Sequence, residues 1–232
     1  MKSSFDLINV TTRGVVVIAM AAVVSAFSGA SWAGVIVSTW SGGGESTTDP
    51  FDVSQGTIVL ENSPLIPGSD ARSALGYANI GFVEPDNTYF ADNGIAGATD
   101  FITFMTANPV TITGFNLRTY DDSYSGAING NRGFTSVTLW GSSDNVTYSI
   151  LASTDLGNSY LTDYGYWGLL VQATFAPTTD QYFRFEGTRY NTTGPRIVEL
   201  DGIPAPNRVP EPETLGLLAV ALASLGVCRR GK

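Results

Sequence analysis

Residues 136–151 read SVTLWGSSDNVTYSIL, two runs of alternating side chains on either side of a short polar segment. In the first run Val137 and Leu139 share one parity, and Thr138 lies between them. A period of two is typical of half-buried β-strands, and SSDN at 142–145 is typical of a hairpin turn. The stretch therefore predicts an antiparallel β-hairpin with one apolar face.

The same period recurs elsewhere, most clearly in YFRFE at 182–186, where Phe183 and Phe185 alternate with Arg184 and Glu186. No segment between 34 and 208 carries a helical stripe of apolar residues. The sequence therefore predicts an all-β fold, an antiparallel β-sandwich. The predicted strands are 34–40, 56–61, 110–120, 134–141, 146–153, 171–176, 181–189 and 196–203, with a turn at 177–180 between two of them.

The order of three elements resembles a known family. The hairpin at 136–151, the aromatic strand at 182–186 and RIVELDGI at 196–203 follow the strand order of galactose-binding-like, or discoidin-like, jelly rolls. The resemblance covers roughly 108–203 and does not extend to the early strands. It implies a jelly-roll sandwich that binds carbohydrate or cell surfaces through loops at one end, and many members of this family hold a structural calcium.

The amino-terminal segment is typical of a secretory signal peptide. Gly14 to Phe27 is an uncharged apolar run, and the small residues Ser31 and Ala33 precede a cleavage site after Ala33. We therefore expect residues 1–33 to form a signal helix that is removed, and 34–208 to form the exported domain.

The carboxyl end, VPEPETLGLLAVALASLGVCRRGK at 209–232, combines a Pro-Glu-Pro box, an apolar run and a basic cluster. As a single hydrophobic helix, the run 214–228 would span about 22 Å, against roughly 30 Å of bilayer hydrocarbon. This length predicts a transient anchor, and the basic end is expected to stay in the cytoplasm.

This tail resembles the PEP-CTERM sorting signal of Gram-negative bacteria. The matching residues are Pro210, Glu211 and Pro212 in the box and Arg229 and Arg230 at the end. The resemblance implies processing by exosortase, a membrane protease-transpeptidase, and export alongside exopolysaccharide and biofilm matrix. We expect the protein at the cell surface, the outer membrane or the extracellular matrix, held at the membrane by its tail before processing.

The composition of 34–208 excludes several function classes. It contains seven arginines, no lysine and 18 acidic residues, which give a formal charge of −11. Such a surface argues against nucleic acid as a partner. The chain has no histidine, so catalytic triads, histidine-ligated zinc and the usual proton shuttle near neutral pH are excluded. Cys228 is the only cysteine, so the exported domain has no disulfide.

The loops offer a candidate binding face. Because successive antiparallel strands reverse direction, the connections 121–133, 154–170 and 190–195 are predicted to share one end of the sandwich. Aromatic faces stack on the C–H faces of sugars, and amide and guanidinium groups hydrogen-bond hydroxyls; the alternative is that these aromatic side chains cover the core. The candidate ligand-binding residues are Tyr124, Asn131, Arg132, Tyr164, Tyr166, Trp167, Tyr190 and Asn191.

No cofactor follows from the sequence with certainty, but a structural calcium is one hypothesis. Carboxylate and amide oxygens from irregular backbone suit this ion, and the candidates are Asp92, Asn93, Asp100 and Glu199. Glu199 shares parity with Ile197, so its charge is predicted to point towards the core. A metal or an arginine such as Arg118 or Arg184 would compensate for it.

The leading hypothesis is a non-catalytic exported protein whose sandwich binds carbohydrate or matrix, with exosortase as its processing partner. Two alternatives stay open: a carboxylate-dependent glycan hydrolase, and a structural matrix protein without a specific ligand.

Overall fold

The computed structural model describes residues 34–40, 46, 48–80, 86–121, 132–157 and 167–206, so the predicted signal peptide and sorting tail lie outside the described part. Within it the fold is all-β, an antiparallel β-sandwich with two short 3-10 turns, Val53–Gln55 and Ala71–Leu75. The strands are β1 (Gly34–Trp40), β2 (Ile58–Asn62), β3 (Thr88–Tyr89), β4 (Thr99–Asp121), β5 (Phe134–Ser142), β6 (Ser149–Asp155), β7 (Trp167–Arg189) and β8 (Arg196–Pro204).

Two long strands, β4 and β7, hold the sandwich together because each contributes to both layers. In layer A the order is β2, residues 99–105 of β4, residues 182–189 of β7, β5 and β6. In layer B the order is β3, β8, residues 112–121 of β4, residues 167–178 of β7 and β1. The pairing of β4 with β7 shifts register between Met105 and Val110 and again between Ile112 and Gly114, where one layer passes into the other.

The register requires the long strands to fold back. A straight strand from 99 to 121 would be roughly 70 Å long, at about 3.3 Å per residue. Yet Arg189 lies beside the start of β4, and Arg196 pairs with Tyr120 near its end. Residues 189 and 196 can be at most about 25 Å apart along the chain. Both ends of β4 therefore lie at one end of the sandwich, the loop end, and the register shifts lie at the other, the bend end.

The core lies between the layers and follows the predicted alternation. Phe183 and Phe185 of β7 are fully buried, as are Leu139 and Leu117. Phe51, from the segment before β2, packs with ring centroids 4.9 Å from Phe104 and 4.7 Å from Phe183, both in layer A. On its other side lies Gly202 of layer B, where a Cβ would approach the Phe51 ring to 3.0 Å. Phe51 therefore fills the space between the two layers.

The hairpin that predicts the fold is confirmed. β5 and β6 pair from Ser136 opposite Asp155 to Gly141 opposite Ser149. In the turn, Asp144 Oδ1 accepts hydrogen bonds from the N–H groups of Val146 and Thr147, each at 2.8 Å. β6 begins three residues later than predicted, because these bonds extend the turn beyond 145.

The predicted turn at 177–180 is wrong, since residues 167–189 form one strand. Thr178, Thr179 and Asp180 pair with residues 110–112 of β4 and so continue the ladder through the bend. A turn-forming composition there bends a strand pair instead of ending a strand. β4 also begins earlier than predicted, at Thr99 and not near 110, because its residues 99–105 pair with β7 before the bend.

Candidate functional site

The ends of the three predicted loops lie together at the loop end. Asp121 pairs with Trp167, Phe134 with Arg189, and Tyr120 with Arg196. The connections after β4, β6 and β7 therefore start and finish at one end of the sandwich, as predicted. Four of the candidate ligand-binding residues lie outside the described residues, and of a fifth, Trp167, only the backbone is described: the four are Tyr124, Asn131, Tyr164 and Tyr166.

The three remaining candidates at this end have assigned neighbours. The guanidinium carbon of Arg132 lies 5.3 Å from the centre of the Tyr89 ring. The N–H of Tyr190 donates to Gly133 O at 2.9 Å, and Asn191 Oδ1 accepts from Thr193 N at 2.8 Å, which closes a local turn. Arg132, Tyr190 and Asn191 are all half-buried.

Sequence reasoning missed a second arginine at the loop end. Arg196 is buried, lies 4.2 Å over the Tyr120 ring and donates to Tyr89 Oη at 2.5 Å. Trp40 of β1 packs against the other side of this group, 5.2 Å from Tyr120 between ring centroids. Arginine and aromatic side chains thus alternate beneath the loops.

The structure does not bring the four calcium candidates together. Arg189 Nε donates to Asp100 Oδ2 at 2.7 Å, and both side chains are almost completely buried. Asp92 Oδ1 accepts from Gly194 N at 2.7 Å, and Asn93 Oδ1 from Ile95 N at 2.9 Å. In the part of the chain that the structure describes, no three acidic, histidine or cysteine side chains form a group that could hold a metal. These four residues therefore do not fit one ion.

Glu199 belongs to a separate buried cluster on the outer face of layer B. Arg118 Nη1 donates to Glu199 Oε2 at 2.9 Å and also to Asp201 Oδ2. The segment before β2 covers the cluster: Ser46 N donates to Glu199 Oε2 at 3.2 Å, and Asp49 Oδ1 accepts from Gly202 N at 2.8 Å. The sequence offered a metal or an arginine to compensate for the charge of Glu199, and the structure shows an arginine, Arg118, beside it.

Burial dominates the titration of this cluster. It raises the pKa of Asp49 to about 6, although two backbone N–H groups oppose the shift. Burial and the charge of Asp201 raise the pKa of Glu199 to about 8, although Arg118 lies opposite. Two carboxyl groups, of Glu199 and Asp201, thus share one guanidinium away from water, and a third, of Asp49, lies close to them.

The predicted direction of Glu199 is wrong, although its burial is right. Val198 is an extra residue in β8, because Arg118 pairs with Glu199 and the next residue, Thr119, pairs with Ile197. This bulge reverses the parity, so Ile197 and Leu200 enter the hydrophobic core and Glu199 lies on the opposite face with Arg118.

The outer face of layer A carries an open cleft that sequence reasoning did not identify. One cross-strand row runs over all five strands: Glu61 pairs with Thr103, Thr103 with Arg184, Arg184 with Trp140, and Trp140 with Ile150. The cleft has a volume of about 470 Å³. It is lined by Glu61, Thr103, Trp140, Asn145, Tyr148, Arg184 and Glu186.

Hydrogen bonds fix the aromatic and charged groups of the cleft. Trp140 Nε1 donates to Glu186 Oε2 at 3.0 Å, and Arg184 Nε donates to Glu186 Oε1 at 2.7 Å. The guanidinium of Arg184 also lies 3.9 Å over the Phe101 ring. Since both oxygens of Glu186 are engaged, this carboxylate positions the indole and the guanidinium.

The β5–β6 turn forms the rim of the cleft. Tyr148 Oη donates to Asn145 Oδ1 at 2.6 Å, and Asn145 adopts a left-handed backbone with φ of 61°. The same turn holds Asp144, whose pKa is lowered to about 2 by the N–H groups of Thr147 and Val146 and by Ser142. Tyr148 is therefore held on a rigid turn.

Thr103 lies at the floor of the cleft, between Glu61 and Arg184 in the row. Only 6 % of the residue is exposed, and its Oγ1 has no hydrogen-bond partner among the residues that the structure describes. A buried hydroxyl without a partner costs stability, so Thr103 is a strained polar position beneath a polar and aromatic cleft.

The signal for the cleft was present in the sequence. Val137, Leu139, Phe183 and Phe185 face the core, so alternation places Trp140, Arg184 and Glu186 on the outer face. What alternation cannot show is that β5 and β7 are neighbours, which brings the tryptophan beside the arginine.

Comparison with known proteins identifies the tail. Residues 208–230 match the PEP-CTERM protein-sorting motif, as predicted. The motif indicates an exported protein that is transiently anchored at the membrane by its carboxyl terminus. No helix among the described residues is long and apolar enough to cross a bilayer, and the tail itself lies outside them. No curated protein matches the chain.

Solved structures similar to the chain include several carbohydrate-binding modules. Chitosan-binding module 1 from a Paenibacillus sp. IK-5 chitosanase/glucanase is 17% identical, with a TM-score of 0.45, and covers 65% of this chain and 97% of that one. The family 32 carbohydrate-binding module from Streptococcus pneumoniae EndoD is 10% identical, with a TM-score of 0.46, and covers 68% and 100%. The family 32 module of Clostridium perfringens NanJ, in complex with galactose, is 12% identical, with a TM-score of 0.45, and covers 72% and 98%.

Proposed function

We propose that this is an exosortase-processed surface or matrix protein whose sandwich binds carbohydrate without cleaving it. The sorting motif at 208–230 supports the first part, because in the PEP-CTERM group such tails are exosortase substrates. Exopolysaccharide or another glycan is the proposed ligand.

The observation that carries the binding proposal is the fixed indole in the cleft of layer A. The N–H of Trp140 is held by Glu186 and Tyr148 stands at the rim, so two aromatic side chains border a space of about 470 Å³. That volume is within the range of small-molecule sites, and aromatic rings beside a few fixed polar groups are a common composition for them. Sugar C–H faces suit such rings, and Arg184, Asn145 and Thr103 supply donors and acceptors for hydroxyl groups.

The presence of two carboxylates in one cleft keeps the glycan hydrolase as a second candidate. Glu61 and Glu186 are two strands and two residues apart, so their Cα atoms are roughly 12 Å from each other. A hydrolase needs one free acid and one free base across the bond that breaks. Glu186 already binds Trp140 and Arg184 through both oxygens, which favours a positioning role.

The loop end stays a proposed second contact surface. Its described residues lie next to strand ends at the base of the loops: Arg132 comes shortly before β5, and Tyr190 and Asn191 follow β7. Structural calcium also stays a hypothesis; a rise in the melting temperature of the full-length chain on adding calcium would support it.

The test is a glycan array with the full-length chain in mild detergent, together with the variants Trp140→Ala and Trp40→Ala. Binding to at least one glycan should weaken about tenfold or more in W140A, because buried aromatic contacts dominate such sites. W40A removes a tryptophan from the loop end and should leave the affinity within about twofold. Thermal melting checks that both variants fold.

Two outcomes would contradict the proposal. The absence of any glycan binding would leave the structural matrix protein, and loss of binding in W40A but not in W140A would move the site to the loop end. Release of reducing sugar by the natural chain, abolished in both Glu61→Gln and Glu186→Gln, would establish the hydrolase instead.

A further inference from the structure

The charges of the cleft restrict which glycans it can accept, and this inference rests on the proposed function. We propose that the cleft prefers glycans with free amino groups, such as partly deacetylated hexosamine polymers, over acidic glycans, and that Glu61 determines this preference. Glu61 is exposed at one end of the cross-strand row. No hydrogen bond or ion pair joins its carboxylate to any residue that the structure describes.

The positive charge in the cleft is already balanced. Among the described residues, Arg184 is the only basic side chain that lines it, and its guanidinium is bound to Glu186 at 2.7 Å and stacked on Phe101. An acidic sugar would therefore compete with Glu186 for Arg184 while approaching the free charge of Glu61. The lining as a whole carries one negative charge more than positive.

The charges around the cleft also disfavour acidic glycans. The exported domain has a formal charge of −11 and no lysine, so its overall field repels acidic polymers and attracts cationic ones. Asp144, on the turn that forms the rim, adds a further carboxylate held ionised by backbone N–H groups. An ammonium group placed at Glu61 would form a charge-assisted hydrogen bond and would displace no existing partner.

Thr103 indicates where in the cleft the sugar substituent would bind. It pairs directly with Glu61 across the strands, and its buried Oγ1 has no hydrogen-bond partner among the described residues. The floor of the cleft thus offers a polar atom beside the acidic end and not beside the tryptophan. We expect the aromatic side chains to pack against the sugar ring and the Glu61 end of the cleft to recognise the amino substituent of that ring.

The experiment is calorimetric titration of the full-length chain with three oligosaccharides of equal length: oligomers of glucosamine, of N-acetylglucosamine and of galacturonic acid. The glucosamine oligomer should bind most tightly and the galacturonic acid oligomer most weakly. Glu61→Gln should weaken the glucosamine oligomer by about two- to fivefold, the range of an exposed ion pair, and leave the N-acetylated oligomer unchanged. High salt should reduce the preference.

Asp86→Asn is the matched control, because Asp86 is exposed beside β3 of layer B and its loss removes the same charge from a distant surface. D86N should bind all three oligomers as the natural chain does. Equal or tighter binding of the galacturonic acid oligomer, or no effect of E61Q, would overturn the preference while Trp140-dependent binding stands. No Trp140-dependent binding of any oligomer would overturn both this inference and the proposed binding site.

Discussion

The outer faces of the two layers carry similar chemistry in opposite settings. On layer B, Arg118 binds Glu199 and Asp201, and the three side chains are only 5–8% exposed. On layer A, Arg184 binds Glu186, and these side chains are 30% and 26% exposed. Residues 46 and 48–52 cover the cluster on the first face, whereas the cleft leaves the second open.

The difference shows how burial beneath another segment changes the role of an ion pair. Removed from water, the cluster on layer B fastens the segment before β2 to the last strand and is committed to the fold. Left in water, the pair on layer A contributes little to stability, and its arginine and the tryptophan beside it remain accessible to a ligand. Burial beneath another segment, rather than residue type, separates the structural face from the proposed binding face.

The largest expected effect comes from breaking the covered pair. Arg118→Met should destabilise the chain by about 3–5 kcal/mol, because it leaves Glu199 and Asp201 buried without their guanidinium. Arg184→Ala, the equivalent change on the open face, should cost about 1 kcal/mol or less. Urea denaturation of both full-length variants measures the contrast, and equal losses would show that cover does not distinguish the two faces.

The next effect is on the dependence of stability on pH. The pKa of Asp49 is raised from 3.8 to about 6 and that of Glu199 from 4.5 to about 8, so the folded chain binds more protons than the unfolded chain in this interval. The stability that these two groups contribute is therefore fully present below about pH 4 and is lost as the pH rises towards 8. Each 1 kcal/mol lost should lower the melting temperature by roughly 2–4 °C.

Glu199→Gln isolates the contribution of the covered cluster. The amide can still accept from Arg118, so the variant should fold, but its stability should change little between about pH 6 and 8. Thermal melting across this range tests the prediction. A melting temperature that rises with pH in the natural chain would mean that the carboxyl groups of the cluster are more stable ionised in the folded state.

The smallest expected effect is at the floor of the open face. Thr103→Val replaces an unpartnered buried hydroxyl with a methyl group of the same shape, so the chain should be unchanged or more stable by about 1 kcal/mol. If the hydroxyl serves a ligand, glycan affinity should fall in the same variant. A loss of stability in T103V, with affinity unchanged, would assign Thr103 to the fold alone.

Much of the fold follows from local patterns. Alternation in 134–142 and 182–186 predicts strands and inward faces correctly, because side-chain direction in a strand depends only on parity. The bent strand β7 was not predictable in this way. Residues 177–180 have the composition of a turn, and only the partner strand β4 shows that the ladder continues through them.

The site was less predictable because it depends on long-range pairing. Alternation places Arg184 and Trp140 on an outer face, but their contact requires β5 to lie beside β7, more than 40 residues away in sequence. The predicted direction of Glu199 was wrong for another reason. A single extra residue, Val198, reverses parity in β8 and moves the charge to the other side of the sheet. A bulge of this kind leaves no signal in an apolar run.

The bend that folds β4 and β7 also determines where the two ends of the described chain lie. Gly34 pairs with Thr174 close to the bend, and Ala205 donates its N–H to Thr111 in the same region. The chain therefore enters and leaves the sandwich at the bend end. The sorting motif at 208–230 follows this end in the chain, so the loop end is the part of the sandwich farthest from the point where the tail begins.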